Sequence, residues 1–463
     1  MSEKNEEFRD SIGTIKKDGK RNWLFPKRPK GWYYNARTVV SIFYIIIFLV
    51  LPWLKYDGEP LFLLDVIDRR FILFGKIFWP QDFFIFMVGM LTFIVFIVVF
   101  TVAFGRLFCG WVCPQTIFME MIFRKIEYWI EGDADHQRKL TNGPWNGEKI
   151  LRRGGKHIVF FLVSFIIANY FLSYFISMDR LVSYMRDGIF AHWDVLLPLL
   201  LFTTVFFFVY SWFREQVCLI VCPYGRLQGV MLDRDSVVVA YDYVRGEERK
   251  RFRKNEERTA GDCVDCMECV KVCPTGIDIR NGTQLECINC TACMDACDAI
   301  MDKFEFDKGL IRYASENNIA KKEKLHFTRR MAAYSIVLAL LVSVLTTLLV
   351  TRKDVSATIM RARGMMYQEQ PDGRVSNLYN IKLVNKTRHQ IPITLRLPEG
   401  FHGEIKIVGK DIKVEKESVG DGMFFIYADK GYLHERKNTV AVDVYSGDKK
   451  ISTVKTNFFA PTE

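Results

Sequence analysis

Hydrophobic positions along this chain fall into two regimes. Up to residue 350, long charge-free apolar runs alternate with polar, basic stretches. Five runs, at 38–54, 83–104, 158–176, 195–213 and 331–350, predict membrane-crossing helices, since a bilayer takes about 20 residues to span. Their length and charge-free interiors set them apart from the buried helices of a water-soluble core. The first starts too far in for a secretory signal, lacks a small-residue cleavage site and is followed by further spans. Beyond Val350 the period changes to two. Ile381-Leu383, Ile391-Ile393-Leu395-Leu397, Ile405-Ile407, Phe424-Ile426 and Val440-Val442-Val444 alternate with polar residues. Pro398-Glu399-Gly400, Gly420-Asp421-Gly422 and Ser446-Gly447-Asp448 read as the turns between them. This pattern predicts a small antiparallel β-sandwich of immunoglobulin-like size. It contains no Cys for a disulfide and no polar constellation that suggests catalysis, so binding or scaffolding is its expected role.

Charge orients the spans. The chain has 463 residues and a formal charge of +11, with Lys and Arg flanking the apolar runs rather than forming one nucleic-acid patch. Lys16, Lys17, Lys20, Arg21, Lys27, Arg28, Lys30 and Arg37 precede the first run. Arg106, Arg124, Lys125, Arg138, Lys139, Lys149, Arg152, Arg153 and Lys156 follow the second, and 214–330 is again rich in base. The stretches 55–82 and 177–193 are poorer in base and balanced by acids. The positive-inside rule then places the N-terminus and the region 214–330 in the cytoplasm and the C-terminal domain outside. Trp53, Trp79 and Trp193 suit the outer interfacial belt, and Trp23, Trp32, Tyr33 and Tyr34 the inner approach.

The twelve Cys all fall between Cys109 and Cys297. Eight of them form Cys-x2-Cys-x2-Cys-x3-Cys twice: Cys263, Cys266, Cys269, Cys273-Pro274, then Cys287, Cys290, Cys293, Cys297. This is the bacterial ferredoxin run, in which the fourth Cys of each copy ligates the other cluster. Cys263, Cys266, Cys269 and Cys297 are therefore expected to hold one [4Fe–4S] cluster. Cys287, Cys290, Cys293 and Cys273 are expected to hold the second. Cys pairs also build zinc sites, but two complete four-Cys runs disfavour zinc. Asp298 stands where the second run would have Pro, a position that ligates nothing. Clusters need reduced thiols, which independently places this region on the reducing side of a membrane.

The remaining four Cys form a second repeat. Cys109-Gly-Trp-Val-Cys113-Pro114 follows the second span and Cys218-Leu-Ile-Val-Cys222-Pro223 the fourth, so a unit of two spans and Cys-x3-Cys-Pro occurs twice. Four-residue spacing would put both thiols of a pair on one helical face. The Pro suits the first position of a new helix, and 114–130 reads as amphipathic. Cys113 and Cys222 would then sit at helix N-termini. Inert buried thiols, a shared four-thiolate metal site and redox-active disulfides all remain open. Soft thiolates select Cu(I), zinc or iron–sulfur clusters. Met119, Met121, Met360, Met365 and Met366 could add soft ligands, although packing is the commoner role of Met. His157 and His192 border spans, and no His pair suits a transmembrane haem. Phosphate loops, dinucleotide glycine fingerprints and Ser-His-Asp patterns are absent.

Taken together these residues resemble one family, the membrane iron–sulfur accessory proteins of cbb-type cytochrome c oxidase assembly, called CcoG or FixG. The likeness covers the basic N-terminus, the four spans with two Cys-x3-Cys-Pro repeats, the eight-Cys insert, the fifth span and the immunoglobulin-like tail. The first four spans and the insert also look like quinol-dehydrogenase membrane subunits of the NapH type, and the fifth span and β tail favour CcoG. The fold expected is a multi-domain membrane protein: a five-helix α membrane part, an α+β two-cluster ferredoxin insert and an all-β immunoglobulin-like sandwich. Its parts would be a basic segment 1–37, a four-helix domain 38–235, the ferredoxin 236–326, the fifth helix 327–352 and the extracytoplasmic domain 353–463. What the resemblance implies is cupric-reductase-like reduction of Cu(II) to Cu(I) for the oxidase copper centre, with Cys109, Cys113, Cys218 and Cys222 as the copper-handling thiols. The alternatives are a quinol-linked electron-transfer subunit and a non-catalytic copper-binding assembly factor. Expected partners are the inner membrane, an electron donor the sequence does not identify, and oxidase assembly factors or copper carriers. Nucleic acid is not among them, and a homodimer is left open.

Overall fold

A computed structural model describes residues 13–461, except 16–17, 67–69, 80–81, 189–190, 253–259, 323–327, 353–354, 363, 365, 388, 399–400, 410–411, 417, 433–434 and 448. Lys16, Lys17, Met365, Glu399, Gly400 and Asp448 thus lie outside the described residues. Among the described residues, five helices are long and apolar enough to cross a membrane: α1 (Trp32–Val50), α2 (Phe83–Phe104), α3 (Gly147–Ile176), α4 (Trp193–Phe208, prolonged by the π-helical Val209–Phe213) and α5 (Arg329–Val350). Two of them begin well before their apolar runs, and capping explains both. At α1, the Asp295 carboxylate accepts from the backbone N–H groups of Tyr33 and Tyr34 at 3.1 and 2.8 Å. Those N–H groups have no partner within the helix, and a carboxylate there also complements the helix dipole. At α3, the Asn146 side chain accepts from Lys149 N–H at 2.9 Å, so the helix takes in the basic residues Lys149, Arg152, Arg153 and Lys156.

The chain divides into two compact units, Met1–Leu64 with Met87–Ser343, and Asp65–Phe86 with Val344–Glu463. In the first, α1, α3 and α4 meet around an aromatic cluster. Phe123 stacks on Tyr210 at 4.6 Å and meets Phe160 edge-on at 4.9 Å. The ferredoxin insert is built on an antiparallel pair, Val238–Tyr241 with Ile311–Ala314, covered by the helix Ala292–Lys303. Its core includes Val239, Ile277, Ile279, Met294, Met301, Leu310 and Ile311 together with Cys263 and Cys269. A small domain of this kind leaves little room for an apolar core, and cluster ligation supplies the missing cross-links.

The second unit is the β-sandwich. One sheet runs Gly403–Val408, Val419–Asp429, Arg374–Asn385, Val355–Arg361, and the facing sheet runs Thr394–Arg396, Lys437–Ser446, Lys449–Phe459. Tyr379 stacks on Phe424 at 5.5 Å and donates its hydroxyl to Asn457 O in the facing sheet at 2.9 Å. Gly420-Asp421-Gly422 is not the turn its composition suggests. These residues lie inside a strand, paired with Leu383, Lys382 and Ile381. A Cβ at Gly420 or Gly422 would stand 2.8 Å from the side chains of Val414 or Ile412, so the glycines let a neighbouring segment pack close to the sheet. In the same unit Asp82 is held between Arg352 at 2.7 Å and Lys386 at 2.6 Å. Burial opposes the Asp82 carboxylate, yet the two cations hold its pKa below the usual carboxylate value.

Candidate iron–sulfur and thiol site

The two Cys-x2-Cys-x2-Cys loops share one backbone design. Asp265 and Asn289, each just before the second Cys of its run, have φ of 50° and 53°. Met267 and Thr291, each just after it, have φ of 60° and 64°. Left-handed residues on both sides of a Cys curl the chain into a tight loop, and Asp and Asn adopt that region more readily than most residues. A short helix then begins after each loop, at Glu268 and at Ala292. The equivalence of the two loops is a local twofold repeat that the Cys spacing alone implies.

Two cavities lie against these loops. One is lined by Cys263, Cys266, Cys269 and Cys297. The other is lined by Cys273, Cys287, Cys290 and Cys293, with Cys269 on the shared border. Each cavity therefore takes three thiols from one run and the fourth from the other. Burial pushes Cys269 and Cys287 up to about 12 and Cys290 up to about 11, and neighbouring thiolates add to the effect. Thiols so buried give up their protons only when a metal compensates the charge. Four thiols around an apolar cavity, with no carboxylate on the wall, is a donor set that fits a [4Fe–4S] cluster. Among the described residues no three His, Cys, Asp or Glu side chains converge on a single metal ion.

Polar neighbours reach several of the sulfurs. Thr275 Oγ1 lies 3.3 Å from Cys273 Sγ, and Cys287 Sγ is 3.5 Å from Asn289 Oδ1. Arg280, fixed by Asp278 and Asp265 at 2.7 and 2.6 Å, lowers the pKa of Cys269 against its burial.

The second set of thiols departs from expectation in its backbone. Cys109 lies in a short helix, Leu107–Trp111, but the chain leaves that helix at Val112, and Cys113 is the extended cap of the next one. The two thiols of the pair are therefore not on one helical face. Pro114 needs an extended residue before it, and that requirement breaks the helix at Cys113. Pro114 and Pro223 do open new helices, and a helical stretch covers 114–130 with a π segment, Ile117–Phe123, in the middle. Cys218 lies in another π segment, Val217–Val221. Segments of this rare helix type often mark functional sites, and nothing in the composition announces them.

The fold brings the four thiols of the two repeats together. Burial first, and then the neighbouring Cys113, Cys109 and Cys222, together push Cys218 up to about 12. Burial likewise pushes Cys109 up to about 11, opposed by the nearby Arg106 and reinforced by Cys113 and Cys222. Cys109 Sγ donates to Gln228 Oε1 at 2.9 Å, and Gln228 in turn donates to Thr101 Oγ1 at 3.0 Å. The methionines stand apart from this role. Met119 packs in the aromatic cluster and Met121 is buried, receiving the Thr38 hydroxyl at 3.9 Å, while Met360 and Met366 are exposed on the β unit. The His157 ring packs on Phe207, and His192 on Tyr184.

Three features here escape a reading of the sequence. Arg37, buried in α1, donates from Nε to Gly110 O at 3.0 Å and from Nη1 to Cys290 O at 2.8 Å. Arg106, also buried, donates to Leu285 O. The third is a buried ion network. Arg214, just after α4, makes a two-pronged bond to Glu127 at 3.1 and 2.9 Å, and Lys156 bridges Glu127 and Glu131 at 3.4 and 2.9 Å. Burial opposes the Glu127 carboxylate, but Arg214, Lys156 and Arg124 outweigh it and hold its pKa down to about 2. The network ties the stretch after the first Cys-x3-Cys-Pro to the one before the second. Glu127→Gln would leave buried cations uncompensated, with an expected loss of about 3–5 kcal/mol. Thermal unfolding in detergent checks this, and an unchanged midpoint would show that the network adds nothing.

Comparison with known proteins agrees with this construction. Residues 213–316 match a family described as a 4Fe-4S dicluster domain, and residues 86–134 one described as a 4Fe-4S binding domain. Residues 345–461 match the IG-like fold at the C-terminus of FixG, described as a putative oxidoreductase. Nitrogen fixation protein FixG of Rhizobium meliloti (strain 1021) is 31% identical, with 96% of this chain aligned to 93% of it. Protein RdxA of Cereibacter sphaeroides is 31% identical, with 89% of this chain aligned to 90% of it. Protein RdxB of the same organism is 34% identical, with 79% of this chain aligned to 80% of it. A dicluster ferredoxin threaded between membrane helices makes this a multi-pass membrane iron–sulfur protein of the electron-transfer class. The relatives narrow the class, and the chain belongs to the FixG family.

Proposed function

We propose that this protein passes electrons through two [4Fe–4S] clusters to Cys109, Cys113, Cys218 and Cys222, where Cu(II) is reduced to Cu(I) for assembly of a cbb-type cytochrome c oxidase. The observation that carries this reading is the gathering of those four thiols, one of which, Cys109, packs against Ile288 and Cys290 of the insert. Cys263, Cys266, Cys269 and Cys297 hold one cluster, and Cys273, Cys287, Cys290 and Cys293 the other. When bound, the clusters carry single electrons at potentials set by burial and hydrogen bonds.

The chain's own residues do the rest. Thr275 beside Cys273 and the Asn289 backbone N–H beside Cys287 in one cavity, and Arg280 in the other, stabilise added negative charge. The four membrane thiols take Cu(II) as substrate. Each copper gains one electron, supplied by a low-potential cytoplasmic reductant by way of the ferredoxin insert. Thiolate sulfur favours the cuprous product, because soft ligands prefer Cu(I). Arg106 offsets the charge of the gathered thiolates.

The test is direct. Protein reduced with dithionite and freed of excess reductant is mixed anaerobically with Cu(II) and a Cu(I)-specific chelator. Cu(I) is expected to appear in step with cluster oxidation. Turnover with a quinone instead would favour the quinol-linked reading, and neither reaction would leave a copper-binding assembly factor.

Sidedness follows from the Lys and Arg bias: the ferredoxin insert is cytoplasmic and the β domain extracytoplasmic. Single Cys placed at Asp372 and at Lys308 should label differently in intact cells. An impermeant maleimide is expected to mark only the first, and labelling at position 308 would reverse the topology.

A further inference from the structure

The membrane thiols and the ferredoxin insert meet at one place. Gly110, inside the first Cys-x3-Cys, lies so near the insert that a Cβ there would be 2.5 Å from Ile288 O and 2.6 Å from Asn289 O. Ile288 and Asn289 lie between Cys287 and Cys290. Cys109 shares an apolar cluster with Ile288, Cys290 and Cys293. Across this contact lies the Arg37 guanidinium, which bonds the Gly110 carbonyl with one nitrogen and the Cys290 carbonyl with another. The guanidinium charge is thereby held at the backbone of a residue that lines the second cavity. The other cavity is lined by Tyr241, Ile300, Met301, Leu310 and Ile311, which belong to the insert itself. The two cavities border each other at Cys269.

We propose that the cluster held by Cys273, Cys287, Cys290 and Cys293 is the one that exchanges electrons with the membrane thiols, and that Arg37 is the positioning residue that joins them. The cluster at Cys263, Cys266, Cys269 and Cys297 is then the entry point for the donor's electron. One guanidinium hydrogen-bonded to both backbones gives a short, rigid route. Its positive charge also favours the reduced state of the cluster beside it. The order of transfer rests on the four thiols being the electron acceptor, as proposed above, whereas the effect of Arg37 on the nearer cluster does not.

Arg37→Gln and Arg37→Lys test this. The two EPR signals are first assigned by their loss in Cys266→Ser and in Cys287→Ser. In Arg37→Gln, the reduction potential of the cluster lost in Cys287→Ser is expected to fall, and the other to stay. Reoxidation of the reduced protein by Cu(II) is expected to slow by about tenfold or more, the range seen when partners of metal ligands are removed. Ferricyanide, a soluble oxidant that bypasses the thiols, should reoxidise wild type and variant alike. Arg37→Lys keeps the charge and loses the fork, so its potential should recover while its Cu(II) rate stays low. A shift confined to the cluster lost in Cys266→Ser, or wild-type potentials with a wild-type Cu(II) rate, would overturn the proposal. If Arg37→Gln does not retain its clusters, the Cu(II) rate of Arg37→Lys decides. If wild-type protein is not oxidised by Cu(II) at all, the copper reading fails, and the potential of the nearer cluster in Arg37→Gln still decides the role of Arg37.

Discussion

Anaerobically reconstituted protein is expected to carry about eight iron and eight sulfide per chain, and Cys266→Ser and Cys287→Ser should each lose about half. The two positions are chosen from the geometry. Cys266 lines only the first cavity and Cys287 only the second, whereas Cys269 borders both and would confuse the result. Substitution should also be severe rather than graded. Burial pushes the Cys287 thiol up to about 12, with Cys290 and Cys273 adding to it. Three thiolates left around a cavity without full ligation repel one another and take up protons instead of iron. Iron and sulfide analysis with low-temperature EPR reads the outcome. About four iron in well-reconstituted wild type would defeat the two-cluster assignment. About twelve would place a third cluster on the membrane thiols, in line with the 4Fe-4S binding family matched at residues 86–134, and would remove copper from them.

The sequence exposes what repeats and what is periodic. Apolar runs mark all five helices because a membrane span needs length and the absence of charge, and both show in a single chain. Cys spacing shows the paired loops because three ligands of a cluster come from one tight turn. What is hidden depends on contacts distant in sequence. Arg37 precedes the first apolar run and looks like one of many basic flanking residues, yet it lies inside α1 and reaches Cys290. Only the helix start set by Asp295, itself between Cys293 and Cys297, places it there. Charge pairing in the Glu127 network is equally invisible, since Arg214 is 87 residues away. Gly420 and Gly422 read as a turn because composition records what a residue permits, and not that a neighbouring Val414 or Ile412 requires the space. The strand Lys449–Phe459 is hidden for a related reason: Ser452, Thr453, Lys455, Thr456 and Asn457 interrupt its apolar pattern.

The double variant Cys113→Ser with Cys222→Ser is expected to lose Cu(II) reduction almost completely while both cluster EPR signals persist. Serine matches cysteine closely in size, so thiols that merely pack should tolerate the change with little loss of stability. Neither residue is fully buried, which makes a packing role still less demanding. A ligand role makes the opposite demand. A hydroxyl is a hard, protonated donor at neutral pH, and Cu(I) is held by soft thiolate. Cys113 and Cys222 are the caps from which the Pro114 and Pro223 helices start, one in each repeat, so the pair removes one thiol from each half of the site. Cys109 and Cys218 remain, with pKa values pushed to about 11 and about 12, chiefly by burial. Those two thiols, one from each repeat, are half of the soft donors, and Cu(I) loses the ligand set that favours it. The cluster ligands lie in the insert, outside both Cys-x3-Cys-Pro motifs, which is why iron content and EPR should hold. Chelator-trapped Cu(I), measured beside iron content in the same preparation, separates the two roles. Wild-type copper reduction in this variant with full iron would sink the copper assignment of the four thiols and leave them to the packing of the membrane repeats.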